Sequence, residues 1–347
     1  VPDTAFATFT DHDAVITAID TAAPGTEYYG GWGRSDTKDI AAATSWAGNG
    51  LVRLYQKAFA ATAWALAHTF PGGTDGGADA AFFNFGGGTV LAWLSSPYAI
   101  LGGTGFAYSL DDGVTWTDQT INANVNQVYV MSYIGATFYA IVRNVVSGDI
   151  ELWSAAAVTG PWALVSTVAA FSGSAAAVID VANLKMFVNS DGVANYSAVS
   201  PFAVWTTNTG NSNTGVIGFV RAGSANRLYV AFLNTAEESD DGGVTWFNPG
   251  LSLIANELVA HLAADQRIGA AQKVVLITSG GRFITAQMDL TAPSAPAYPT
   301  SGSGIRNAIV DLAWNGDSGV GLYALAPVPL ERSLTPTELR TIGHNLN

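Results

Sequence analysis

Four acidic side chains stand on short, apolar, strand-like segments of this chain: Asp39, Asp180, Glu257 and Asp311. Two carboxylates flanking a glycosidic bond suffice for its hydrolysis, one as acid and the other as base or nucleophile. The plainer role for each is a strand-end acid that accepts a neighbouring backbone amide. Other constellations are thin. The chain has no cysteine, which removes thiol nucleophiles, disulfides and Cys-bound metals. Its histidines, His12, His68, His261 and His344, are scattered. Asp11-His12-Asp13 reads as a turn, and Asp75 to Asp79 has the composition of a calcium loop without its ligand set. No Gly-x-Ser-x-Gly elbow, phosphate loop or His-Glu-x-x-His pair occurs. Neither a metal nor a cofactor is expected.

The elements that hold these residues are written in the composition. Acids outnumber bases 27 to 14, for a net charge of -13. That balance argues against a nucleic-acid partner, which needs clustered Lys and Arg. Only 12% of the residues are charged while 49% are hydrophobic, so the surface must be built from Ser, Thr, Asn, Gly and Ala. Asp exceeds Glu 20 to 7, Lys numbers 4 and Gly 38. Helix formers are scarce and turn formers abundant, as in many strands joined by many turns. The uncharged stretches 152–179 and 193–220 are broken by Pro, Gly, Ser and Thr throughout, so no membrane span is expected.

A small or polar turn followed by an apolar strand recurs at Gly50, Gly88, Ala136, Asn183, Asn226, Gln272 and Gly319. The spacings are 38, 48, 47, 43, 46 and 47, with a mean of about 45, the length of a four-stranded propeller blade. Each copy follows another short strand rich in small residues, from Asp39–Trp46 in the first to Arg306–Trp314 in the last. These read as inner strands. Trp64, Trp116, Trp162, Trp205 and Trp246 recur after the copies, one large ring per unit for packing between neighbours. The expected fold is all-β: a single seven-bladed β-propeller over residues 1–326. The N-terminal strands Ala5–Thr10, Ala14–Ile19 and Glu27–Trp32 would complete the blade begun by Arg306–Ala326, leaving no open edge at the seam. The alternative is six blades with a separate N-terminal hairpin. Residues 327–347 read as an extended linker and a short helix near Pro336–His344, opened by the capping pattern Thr335-Pro-Thr-Glu338.

Two segments share the pattern Ser-x-Asp-x-Gly-x-Thr-Trp: Ser109-Leu-Asp111-Asp-Gly113-Val-Thr115-Trp116 and Ser239-Asp-Asp241-Gly-Gly243-Val-Thr245-Trp246. Asp suits a turn whose amides it accepts, Gly supplies a positive φ, and Trp anchors the returning strand. Eroded copies end at Trp162 and Trp205. The pattern resembles the Asp-box, or bacterial neuraminidase repeat, of β-propeller proteins. That resemblance implies structural turns between third and fourth strands, on the face opposite the usual ligand site. The catalytic set of the sialidases is not matched: no Phe/Tyr-Arg-Ile-Pro segment occurs, and Arg34 does not replace it. Glu237 and Glu238 are expected at the outer rim beside the second box.

A ligand would then meet the loops entering each inner strand and leaving each second strand. Asp39, Asn126, Gln127, Glu257 and Arg306 fall at strand entries. Lys57, Tyr98, Arg143 and Asp191 fall near second-strand exits. Tyr98 and Arg143 are the strongest candidates, because a ring can stack on a sugar and a guanidinium fork can hold a carboxylate or a hydroxyl pair. The expected protein binds rather than catalyses. It is a surface or virion-associated adhesin of the phage tail or spike kind, extracellular or on the virion surface, recognising a glycan or a protein partner, with possible docking through residues 327–347. The alternative is a secreted glycosidase acting on a polysaccharide, with Asp39 and Asp311 as its acids.

Overall fold

The computed structural model describes residues 27–45, 52–59, 61, 63–70, 80–94, 105–170, 175–180, 184–190, 194–208, 216–221, 228–232, 234–239, 241, 244–246, 259–264, 273–278, 283–287, 294–297, 311–314 and 322–325. Among them there are strands and turns and no helix, as the scarcity of Glu and Lys requires. The chain divides into two compact units. One holds His12–Ser172 with Phe202–Val204, the other Val1–Asp11, Gly173–Pro201 and Trp205–Asn347.

The first of these units contains three four-stranded antiparallel sheets. They are β1 (Glu27–Arg34), β2 (Lys38–Ser45), β3 (Val52–Ala58) and β4 (Ala65–Thr69); β5 (Ala80–Gly86), β6 (Thr89–Leu94), β7 (Phe106–Ser109) and β8 (Thr117–Gln119); and β9 (Val125–Ile134), β10 (Thr137–Asn144), β11 (Asp149–Ala155) and β12 (Ala163–Ala170). In each sheet the strands lie side by side in chain order, so every connection within a sheet is local.

The other unit repeats the pattern. Its sheets are β13 (Ala175–Asp180), β14 (Lys185–Ser190), β15 (Ala194–Val199) and β16 (Thr206–Asn208); β17 (Val216–Arg221), β18 (Leu228–Phe232) and β19 (Thr235–Ser239); β20 (Val259–Ala264), β21 (Lys273–Thr278), β22 (Phe283–Gln287) and β23 (Ser294–Ala297); and the pair β24 (Asp311–Trp314) and β25 (Leu322–Leu325).

The cores lie between consecutive sheets. Leu91, Trp93 and Phe106 of the second sheet meet Val128, Met131, Phe138, Ala140 and Val142 of the third, closed by Trp162. Ala42, Val52 and Leu54 of the first sheet meet Ala92 and Ala107 of the second, with Trp116 against them. In the other unit Val178 and Phe187 meet Leu228, Val230 and Phe232, with Trp246 against them. Burying a Leu or Val this fully contributes about 1.5–3 kcal/mol each. Central strands packed on both faces lose the inside–outside alternation: all five residues of β18 are buried.

The recurring tryptophans have one address. Trp64, Trp116, Trp162 and Trp205 each stand immediately before the fourth strand of their sheet, β4, β8, β12 and β16. The rings of Trp116 and Trp162 thus meet the inter-sheet cores where the chain turns back.

The frame of the first unit of the repeat differs from the sequence reading. Glu27–Arg34 is the first strand of the first sheet, bound to β2 through the register Arg34↔Asp39 to Glu27↔Ser45, and not part of the last sheet. Asp39–Trp46, read as an inner strand, begins on the second strand, and the segment from Gly50 runs into the third. The first strand reads Glu-Tyr-Tyr-Gly-Gly-Trp-Gly-Arg, with a register shift between Tyr29 and Gly31. Its glycines and bulge hide the apolar period. The short spacing of 38 was the trace of that slip: true second strands begin at Lys38, Thr89, Thr137, Lys185, Leu228, Lys273 and Leu322. The segments Ala5–Thr10, Ala14–Ile19 and 327–347 lie outside the described residues.

Candidate functional site

The Ser-x-Asp-x-Gly-x-Thr-Trp turn joins β7 to β8, third strand to fourth, and closes upon itself. Ser109 Oγ donates to Asp111 Oδ1 (2.8 Å) and accepts the Gly113 amide (2.7 Å). Asp111 accepts the Thr115 amide (2.8 Å) and hydroxyl (2.6 Å), and Trp116 Nε1 donates to the Gly113 carbonyl (3.1 Å). The second copy repeats this geometry. Ser239 Oγ donates to Asp241 Oδ1 (2.9 Å), while the Thr245 amide (2.9 Å) and hydroxyl (2.5 Å) donate to the same carboxylate. Gly243 lies outside the described residues. The Thr115 hydroxyl, then its amide and Ser109, hold Asp111 down at about 2. Burial alone would raise Asp241, but the bonds from Thr245, Ser239 and Val244 outweigh it and lower its pKa.

The first copy also reaches the preceding sheet. Asp112, at φ 60°, accepts the Asp36 amide (2.7 Å) and the Thr37 hydroxyl, while Lys38 Nζ donates to its carbonyl oxygen. Asp36 in turn accepts the Gly88 amide (2.9 Å) and Asn84 Nδ2 (3.1 Å), and the Asp112 amide donates to the Gly88 carbonyl (2.7 Å). The β1–β2, β5–β6 and β7–β8 turns are therefore tied together at one end of the first two sheets. Burial pushes the Asp112 carboxyl up, yet the bonds from Thr37, Ser35 and Asp36 and the Lys38 charge bring it below its ordinary value. Sequence reading saw the box and missed this tie, because Asp36 and Asp112 are far apart in the chain.

The third sheet shares the orientation of the second. Phe85, at the box end of β5, lies 4.3 Å from Tyr133 near the end of β9, and Gly105 at the opposite end abuts Val125 and Val128. The C-terminal end of β10 thus lies away from the box turns. There Arg143 pairs in register with Gln127, and Tyr129 falls in the register shift between Ile141 and Val142. Arg143 Nε and the Tyr129 hydroxyl are both buried with no hydrogen-bond partner. Burial pushes the Tyr129 phenol up to about 12, against the pull of the Arg143 charge. Next to them Asn144 Nδ2 (2.9 Å) and Trp153 Nε1 (2.8 Å) donate to Glu151, taking both its oxygens. Beyond lies the β10–β11 turn, whose tip exposes Val145 (47%) and Val146 (76%). Tyr129 was not singled out by sequence. It lies two residues from Gln127, but an alternating pattern cannot foresee a bulge.

Of the other residues proposed from sequence, Arg143 and Gln127 stand at the end expected for them, and Asn126 lies in β9 beside Gln127. Asp39 and Lys57 do not. Asp39 opens the second strand and Lys57 nears the end of the third, so both lie at the box end of their sheet. Asp39 is 8% exposed and bonded to Lys57 Nζ at 2.7 Å, and Lys57 sits 5.5 Å from the Trp64 ring. Glu237 and Glu238 are buried on β19 (8% and 0% exposed) rather than placed on a rim. Asp311 opens β24. Tyr98, Glu257, Arg306 and Asp191 lie outside the described residues. Among the described residues no group of three or more His, Cys, Asp or Glu could hold a metal ion, and no helix is long and apolar enough to cross a membrane.

No protein-family model matches the chain, and no curated protein matches it in sequence. Solved structures do match in fold. The extracellular domain of the putative one-component system BT4673 from B. thetaiotaomicron is similar over 88% of this chain and 38% of its own, at TM-score 0.58 and 9% identity. YCF48 from Cyanidioschyzon merolae is similar over 88% of this chain and 97% of its own, at TM-score 0.56 and 13% identity. YCF48 bound to D1 peptide covers 84% and 87%, at TM-score 0.54 and 12% identity. These neighbours are β-propeller proteins, and at such identities the likeness concerns the fold alone: an all-β chain of several antiparallel sheets.

Proposed function

We propose that this chain is a non-catalytic β-propeller of the Asp-box type that presents one face to a glycan or a protein partner. The carrying observation is the pair Arg143 and Tyr129 at the end of the third sheet away from the box turns. At the box end the carboxylates of Asp36, Asp111 and Asp112 are filled by neighbouring donors. At the opposite end Arg143 and Tyr129 keep buried donors without acceptors. A closed hydrogen-bond network positions and stabilises, whereas a buried donor without an acceptor gains from any ligand atom that reaches it. Asp39, the leading candidate acid for glycoside hydrolysis, is committed to Lys57, which favours binding over catalysis. A neighbour with a bound peptide supports a binding role for the architecture, and another that is an extracellular domain supports placement outside the cell.

In this reading the sheets form a ring of seven, the segments ahead of β1 complete the last blade, and the protein serves as an adhesin at a cell or virion surface. A glycan array probed with the whole chain, with particle proteomics alongside, tests it. Capture of a glycan class or of a surface protein, mapped by cross-linking to the Arg143 end, is expected. Cross-links concentrated on the Asp111 and Asp241 turns would refute the choice of face.

A further inference from the structure

We propose that Arg143 and Tyr129 form a subsite for a ligand carboxylate at the end of the third sheet away from the box turns. Two donors, the Arg143 Nε–H and the Tyr129 O–H, are buried without an acceptor, and a buried donor left unmade is costly. Arg143 has no ionic partner among the described residues. The nearest carboxylate in register, Glu151 opposite Val142, is spoken for by Asn144 and Trp153. Asp149 opens the same strand and forms no ion pair with Arg143. A guanidinium uncompensated among the described residues, in a chain of net charge -13, calls for an anion supplied from outside. The phenol, held up at about 12, stays protonated and is a donor at neutral pH. A guanidinium edge offers two parallel N–H groups to a carboxylate, and the phenol adds a third bond.

The surrounding negative charge repels a polyanion, so the ligand is singly charged on an otherwise neutral body, as a sugar acid is. The proposal rests on the face assigned above, in that the ligand arrives from the end opposite the box turns.

The test is thermal unfolding of the full chain with sodium acetate, sodium D-glucuronate or poly-L-glutamate, against sodium chloride at matched ionic strength, with D-glucose as the uncharged control. A ligand that binds only the folded state raises its melting temperature. Acetate and D-glucuronate are expected to do so, D-glucuronate at lower concentration, and poly-L-glutamate no better than acetate per carboxylate. Arg143→Gln and Tyr129→Phe should each weaken the response roughly tenfold or more. A response unchanged in both variants, or absent in the wild type, overturns the subsite. Should Arg143→Gln fold poorly, the arginine Nε–H resonances of the 15N-labelled wild type decide. One of them must shift on adding acetate and stay still in Tyr129→Phe at the same concentration; none shifting overturns the proposal. Loss of the acetate response while glycan or partner capture persists at this end removes the subsite and leaves the face standing. Capture mapped to the box turns removes the face instead.

Discussion

Asp111 collects its donors from residues two to four positions away, so its charge is held by the turn and the turn by its charge. Its native pKa of about 2 lies below the ordinary value of 3.8. The unfolded chain therefore binds the proton first as pH falls. Its contribution is complete above the unfolded value and is lost as pH drops through about 2. Asp111→Asn, which cannot titrate, should flatten the fall of melting temperature across that window while lowering the plateau at neutral pH. A parallel acid profile for the two proteins would contradict this. Gly113 is a second fixed point. It holds φ 78°, and a Cβ there would come within 2.9 Å of Gln56 Oε1 on the neighbouring sheet. Gly113→Ala is expected to cost about 1–3 kcal/mol in urea unfolding, from left-handed backbone strain plus displacement of Gln56.

At the scale of elements, two devices fasten one sheet to the next in the first unit: the rings of Trp116 and Trp162, and the tie between turns. Trp162, buried against Phe106 at 5.6 Å, should cost about 3–5 kcal/mol when cut to Ala, measured by denaturant midpoint. The tie predicts coupling. Asp36→Ala and Asp112→Ala share one network, so a double-mutant cycle should return roughly 0.5–3 kcal/mol of interaction energy; strict additivity would mean the turns are not joined. Here sequence was most and least informative. The boxes and tryptophans were legible because turn chemistry and one large ring per unit are local signals. The frame of the first sheet was not, because the glycines of β1 erase its pattern and moved Asp39 and Lys57 to the wrong end. Arg143 was legible as a second-strand exit. Tyr129 was not, since its neighbourhood depends on a bulge, and the Asp36–Asp112 tie depends on two sheets meeting.

For the whole molecule the governing quantity is charge. A net charge of -13 surrounds a local cation at Arg143 with a repulsive field. The screening length shrinks from about 30 Å at 0.01 M salt to about 8 Å at 0.15 M. Long-range repulsion is screened before the short contact is, so association of an anionic probe should speed up over that range, in stopped-flow fluorescence for example. A monotonic slowing would indicate that a cationic surface, not this acidic one, guides the ligand.

The tie around Asp36 and Asp112 has a mechanical consequence. In the first two sheets the hydrogen bonds from Asp36, Thr37, Lys38 and Asn84 crowd at one rim. The second and third sheets meet by apolar contact at both rims, Phe85 on Tyr133 at one and Gly105 against Val125 and Val128 at the other. Leaves bound along a spine open from the other edge. Breathing should be graded from rim to rim, with amide exchange slow at Asp112 and Gly88 and faster at Val146, whose amide is held by an exposed bond to the Asn144 side chain. The loose edge is then the one that can yield to the outline of whatever it holds.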